Sequence, residues 1–263
     1  MKKTFPKQLT EIAICMCREG LLKLGMKNIA DKNIRYLIEF IVIISGVFLS
    51  FYLDDIRELG QKKQYKDTLI KELIITSNQD LAQLDKVISD LKDVEINIET
   101  LLVDILDGEI NLTDELIATN YLAIKTTMNF SFYPLSGTFD QLISTGSFEL
   151  IESIELRRLL INNYTHLSQR NNANNRSLDD LWLSFVENVD PFIMVIPIIQ
   201  DDASYIYADQ EIGSYDIDHK FYLSKTFRSY LVSAKSSVST NLDMLDVFKK
   251  NYNQIINLAE NNN

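Results

Sequence analysis

The side chains best placed to do chemistry are Asp216 and Asp218 with His219 directly after them, and Asp201 and Asp202 a short way upstream. On an extended segment alternate residues share a side, so the two carboxylates of Asp216-x-Asp218 would point the same way. Oxygen donors so arranged, with an imidazole beside them, suit a divalent cation. The competing reading is a solvated acidic loop in which Asp218 caps the next helix, since Asp accepts from the free N–H groups of a first turn. That reading is the simpler one, and we assign no metal-binding and no catalytic residue. His166, the only other histidine, falls near the expected end of a helix, where a cation meets the negative end of the helix dipole. No zinc, phosphate-loop, dinucleotide or nucleophile-elbow motif occurs. The sequence therefore supports a non-enzymatic protein without a cofactor, and an acidic metal-dependent enzyme is the remotest alternative.

A second chemical group of interest is Glu39, the single charge in residues 36 to 53, YLIEFIVIISGVFLSFYL. At ~1.5 Å per residue this run spans about 27 Å, close to the ~30 Å hydrocarbon core of a bilayer. It leads straight into Asp54, Asp55, Arg57 and Glu58 and lacks a small-residue cleavage site, so it reads as a single transmembrane anchor and not a cleaved signal. Spacings of four, three and four put Glu39, Ile43, Gly46 and Ser50 on one stripe. Gly46-x-x-x-Ser50 is a small-xxx-small pair of the kind that lets membrane helices approach closely. Glu39 then either pairs with Arg35 at the interface or faces a neighbouring helix, in a homo-oligomer or with another membrane subunit.

The remaining segments position these groups. Residues 1–35 form a basic lead with eight Lys or Arg against three acids, net +5, whereas residues 54–263 carry net −15. Clustered cations are what phosphate binding requires, so nucleic acid is excluded as a partner of the large domain. Within the lead, residues 7–25 have the pattern of a basic amphipathic helix for an anionic membrane surface, or of a helix packed on the protein itself. Cys15 and Cys17 lie there as well; they suit palmitoylation or metal binding only weakly, and the large domain has no cysteine for a disulfide. The short flanks of the anchor each hold five Lys or Arg, a tie that the whole lead breaks in favour of a cytoplasmic N-terminus and an outer C-terminal domain.

The expected fold is all-α: the anchor at 36–53, then a helical domain over 54–260. Its long arm, 54–106, has Leu73, Ser77, Leu81, Leu84, Ile88, Leu91, Ile98, Leu102 and Ile105 at spacings of four and three, interrupted where Glu95 takes an apolar place. Such a stripe serves either a coiled coil between protomers or an intramolecular bundle. Shorter helices are expected at about 113–128, 139–144, 153–168 and 176–189, and a last long one at 219–259. The asparagine-rich QRNNANNRS, 169–177, reads as a connector. The aromatics Phe130, Phe132 and Tyr133 around Pro134 would plug the end of the bundle or form a docking patch. Pro197 limits FIMVIPII to at most a minor edge strand near 192–199.

The stretches YLIEFIVIISGVFLSFYLDDIRE and FDQLISTGSFELIESIELRRLLINNY together resemble the two landmarks of a large uncharacterised family of bacterial single-span membrane proteins. The second landmark falls here on Leu142, Gly146, Leu150, Ile151, Glu155, Leu156, Arg157 and Tyr164. Gly146, between two apolar segments, is expected to turn the chain with positive φ. The resemblance implies a helical domain on an anchor in the bacterial inner membrane and brings no activity with it. The combined expectation is a membrane-anchored helical interaction module, a scaffold, sensor or complex subunit, whose partners are the bilayer and another protein. A channel or ion-conducting effector built around Glu39 is the alternative.

Overall fold

The computed structural model describes residues 32–106, 108–199 and 210–261. Residues 1–31 of the basic lead, with its amphipathic stretch 7–25, Cys15 and Cys17, and also Asp201 and Asp202, lie outside the described residues. The chain divides into two compact units, Met1–Gln61 and Lys62–Asn263, taken in turn below.

A helix of 75 residues, α1 (Lys32–Leu106), contributes to both. No proline occurs between residues 32 and 106, and Gly46 and Gly60 are its only glycines. In the first unit, residues Tyr36 to Leu53 have their side chains exposed or half-buried throughout.

The second unit is all-α with one two-stranded sheet. Its first element is the remainder of α1, whose fully buried seam is Leu73, Ser77, Asp80, Leu84, Val87, Leu91, Val94, Ile98, Leu101 and Ile105. This is an unbroken alternation of fours and threes. The seam expected from sequence drifts one residue off it at Leu81, Ile88, Glu95 and Leu102, because an apolar stripe passes over the carboxyl of Asp80, which the fold buries. The last element, α7 (Lys225–Asn261), buries Phe227, Leu231, Ala234, Val238, Leu245, Phe248, Tyr252 and Ile255. Arg228 Nη2 donates to Ile105 O at 2.6 Å, Lys235 pairs with Glu99, and Lys249 pairs with Asp85 at 2.6 Å. Residue numbers rise on one helix as they fall on the other, so α1 and α7 are antiparallel neighbours within one chain. The stripe of the long arm is thus used intramolecularly.

Between them lie α2 (Asp114–Thr127), α3 (Gly137–Ser144), a 3₁₀ turn (Ser147–Leu150), α4 (Ile154–Ile161), a π turn (Asn162–Leu167) and α5 (Ser168–Val189). Thr113 caps α2 and Ser153 caps α4, each hydroxyl accepting from the N–H of Leu116 or Leu156. Gly146 has φ +70°, which lets the chain reverse between α3 and the 3₁₀ turn.

Three expectations are corrected. The connector at 169–177 is helical, and Ile154 to Val189 is a single helical run, because its amides find partners: Asn171 and Asn175, one turn apart, both donate to Phe132 O at 2.7 and 3.2 Å. His166 accordingly sits in mid-helix and not near a helix end. The expected helix 219–259 is two, α6 (His219–Tyr222) and α7, parted at Ser224, whose hydroxyl accepts from Phe227 N at 3.1 Å.

The third correction is the second strand. The minor strand expected near 192–199 is Ile193–Ile199 (β1), and it pairs antiparallel with Gln210–Ile217 (β2), where an acidic loop is the expectation from sequence. Pro197 is accommodated because the register slips beside it: Ile196 faces Ser214 and Pro197 faces Ile212, leaving Gly213 as the extra residue of a bulge. A Cβ on Gly213 would come within 3.0 Å of both Ile196 O and Ile198 Cγ1, so glycine is required there by the close approach of the partner strand.

Candidate functional site

Of the groups singled out in the sequence, the Asp216-x-Asp218-His219 pattern is taken apart by its own backbone. Asp216 lies in β2 opposite Met194. Asp218, just past the strand, accepts from the N–H groups of Lys220 and Phe221 at 2.8 and 3.0 Å and caps α6. His219 turns to α2, its Nε2 2.8 Å from Asp114 Oδ1. The Asp218 and His219 side chains thus serve different partners, and Asp216 stays in the strand. Among the described residues no group of three His, Cys, Asp or Glu is placed to hold a metal ion.

Those contacts instead mount the β-ribbon. Asp190, three residues ahead of β1, accepts from the Tyr121 hydroxyl and from Lys125 Nζ at 2.5 Å, both on α2. Burial and then the Asp190 charge push the Tyr121 phenol far up, so it stays a donor. Phe192 stacks on Phe221 with ring centroids 4.2 Å apart, and Asp218 N donates to Phe192 O at 2.8 Å, which closes the base of the ribbon. Behind it, Asp104 near the end of α1 accepts from the Tyr222 hydroxyl at 2.8 Å and from the N–H groups of Asn111 and Leu112. Each acid lies at an element end and satisfies donors from a different element.

So held, the ribbon has two unlike faces. Ile193 and Val195 are buried against α2. Met194, Ile196 and Ile198, which alternate with them, are 48, 54 and 55 % exposed. Their cross-strand partners are Asp216, Ser214 and Glu211, so an apolar row is bordered by polar side chains along one side. Isolated apolar residues on a surface are ordinary; here three in alternation form an apolar row with a polar border, on a ribbon fixed at its base. FIMVIPII is apolar at every position, so the sequence carries no alternation that tells its outer residues from its buried ones.

The second notable arrangement is enclosed. Asp80 is fully buried and accepts from Leu135 N through both carboxylate oxygens at 3.2 Å. The Tyr252 hydroxyl adjoins it, the Tyr164 hydroxyl adjoins Tyr252, and the Ser77 hydroxyl adjoins Tyr164, without completing hydrogen bonds of full geometry. Aromatic rings surround the group: Tyr164 stacks on Phe139 at 5.0 Å, and Phe132 meets Phe248 edge-on at 5.2 Å. Burial raises the Asp80 carboxyl above the ordinary carboxylate range, with the Tyr252 hydroxyl and Leu135 N–H acting in the opposite sense. Burial, then the Asp80 charge, pushes the Tyr164 phenol up to about 12. The cluster favours the protonated form of the Asp80 carboxyl relative to an exposed one and pins the 129–136 loop to α1. Of the loop aromatics, Phe132 is buried within it and Tyr133 is exposed.

Of the family-like motif, Tyr164 belongs to this cluster. Leu142, Ile151, Leu156 and Tyr164 are buried, Leu150 is half-buried, Gly146 turns the chain, and Arg157 Nη1 lies 3.5 Å from Glu149. Glu155 is exposed. The motif residues are therefore largely packing residues. In the first unit, Glu39, Ile43, Gly46 and Ser50 are all exposed, and a Cβ on Gly46 would meet nothing within 4 Å. By length and composition α1 carries one stretch apolar enough to cross a membrane, and no part of that stretch is buried. Compared with protein-family models, with curated proteins and with solved structures, the chain matches none.

Proposed function

We propose that this chain is a membrane-anchored, non-enzymatic interaction module. Residues 36–53 of α1 cross the bilayer once, and the helical domain beyond them presents a docking surface to another protein, as a scaffold, sensor or complex subunit. The resemblance to bacterial single-span proteins supports this reading and implies an anchor in the inner membrane. The anchoring rests on the length and apolarity of an unburied helix. The interaction rests on one observation, the exposed apolar row Met194, Ile196, Ile198 on a ribbon secured at its base by Asp190, Asp218 and the Phe192–Phe221 stack. Ordering such a row before the partner arrives lowers the entropy that binding must overcome.

The test is isolation of the full chain from its native membrane in mild detergent, wild type beside Met194→Glu/Ile196→Glu. Both substitutions lie on the outer face, so the melting temperature should stay within a few degrees while a stoichiometric partner is lost. A partner retained by the double variant removes the ribbon from the interaction. If the purified protein alone permeabilises liposomes, the reading gives way to a channel built around Glu39.

A further inference from the structure

A groove runs along the other long helical run, between α4, the π turn and α5 on one side and α7 on the other. It consists of two adjoining cavities of about 590 and 280 Å³ that share Asn162. Arg158 and Asn162 line the smaller; Asn162, His166 and Arg170 line the larger, with Val247 and Gln254 facing them from α7. The residues Arg158, Asn162, His166 and Arg170 are spaced at i, i+4, i+8 and i+12. In a plain α-helix such a row drifts around the axis, because 3.6 residues complete a turn. The wider π turn at Asn162–Leu167, closing i→i+5 bonds, takes up part of that drift and keeps the row beside α7.

The charges on this row have no internal use. Neither Arg158 nor Arg170 forms an ion pair with any described residue, whereas Lys125, Arg157, Lys235 and Lys249 all do. Glu155, at the far end of the smaller cavity, is the only acid among the lining residues. Two unpaired guanidinium groups on a domain of net charge −15 form a local reversal of sign. At ~1.5 Å per residue Arg158 and Arg170 are about 18 Å apart, too far for one small anion to bridge. An amphipathic helix whose acids recur every three or four residues over about twelve residues would span the same ~18 Å and meet both, its apolar side against Leu159, Ala173 and Val247. Nucleic acid would need many more cations than this.

We infer that this groove is a second docking site, separate from the β-ribbon, and that it takes an acidic amphipathic helix of a partner protein. The guanidinium groups of Arg158 and Arg170 supply the charge recognition, and the imidazole of His166 with the amide of Asn162 supplies hydrogen bonds between them.

The experiment uses the full chain in nanodiscs of zwitterionic lipid and three fluorescent 18-residue helical peptides with the same Leu/Ala face and a polar face of Glu, Gln or Lys. The Glu peptide should bind at least tenfold more tightly than the Gln peptide, and the Lys peptide should not bind. Arg158→Glu/Arg170→Glu should lower affinity for the Glu peptide at least tenfold with an unchanged circular dichroism spectrum. Arg176→Glu, an exposed cation on α5 outside the groove, should change it less than twofold. Met194→Glu/Ile196→Glu should also leave it unchanged, which separates this site from the ribbon. The inference is overturned by absence of binding at millimolar peptide, by equal binding of Glu and Lys peptides, or by indifference to the double charge reversal. Complete displacement of the peptide by 10 mM inorganic phosphate would overturn it too, because the groove would then be a site for a lone anion.

Discussion

Asp80 is the residue that most departs from what its type leads one to expect, a carboxyl at the centre of a helical seam. An ionised carboxylate is costly to bury without a cation, and its oxygens receive only Leu135 N–H and poorly aimed hydroxyls. The folded state therefore holds the proton to a higher pH than the unfolded chain, whose aspartates titrate near ~3.9. Stability is greatest below that value, falls as pH rises through the raised folded value, and is level above it. Asp80→Asn, which has no proton to lose, should gain stability relative to wild type as pH rises from 4 and should melt higher at pH 7. Melting curves from pH 4 to 8 that run parallel for the two proteins would refute the assignment. Gly146 poses a simpler case. Its φ is +70° and a Cβ there would touch nothing, so the cost of Gly146→Val is backbone strain alone, about 1–2 kcal/mol. Gly137→Ala, at a helical position with equal room, should cost little by comparison. Equal denaturation midpoints for the two variants would contradict the role given to Gly146.

At the scale of elements, α1 and the β-ribbon are governed by different physics. Among the described residues none buries the apolar side chains of the Tyr36–Leu53 part of α1, and in lipid such side chains gain nothing by meeting one another. Association there would depend on close backbone approach along Glu39, Ile43, Gly46 and Ser50. Because Gly46 has open space beside it, Gly46→Ile is harmless to its own helix and acts only on a neighbour. Cross-linking of the anchor in membranes should be abolished by Gly46→Ile and unaffected by Val47→Ile; identical cross-linking in both removes the stripe as an association face. The ribbon carries two free strand edges, a ready template for unwanted pairing. Pro197, which withholds an N–H, and the bulge at Gly213, which breaks the regular edge, both oppose that pairing while leaving the outer face available.

For the whole molecule, the charge distribution sets the proposed topology: net +5 before the anchor and net −15 after it. The flanks alone are balanced, so the lead should decide. Reporters active only outside the cytoplasm should work when fused at Asn263 and fail at Met1, and removal of residues 2–31 should weaken the preference. The reverse pattern would place the ribbon and the cationic groove in the cytoplasm.

The all-α class and the exposed apolar run of α1 were legible in the chain because both are properties of composition and local period, which require no knowledge of what packs against what. Caps such as Thr113, Ser153 and Asp218 were legible for the same reason, as each acts within three residues of itself. Long-range pairing decided the remainder. Asp80 belongs to the seam only because Tyr164, Tyr252 and Leu135, from three distant segments, close over it. The asparagines of QRNNANNRS form helix because Phe132 O, some forty residues earlier, accepts from two of them. The acidic stretch after residue 209 becomes a strand because β1 supplies its hydrogen bonds, and the charge row of Arg158, His166 and Arg170 becomes a groove because α7 lies alongside. Sequence periodicity records which side of an element is apolar; which element covers that side, and which polar groups are enclosed with it, is settled only when the chain has folded onto itself.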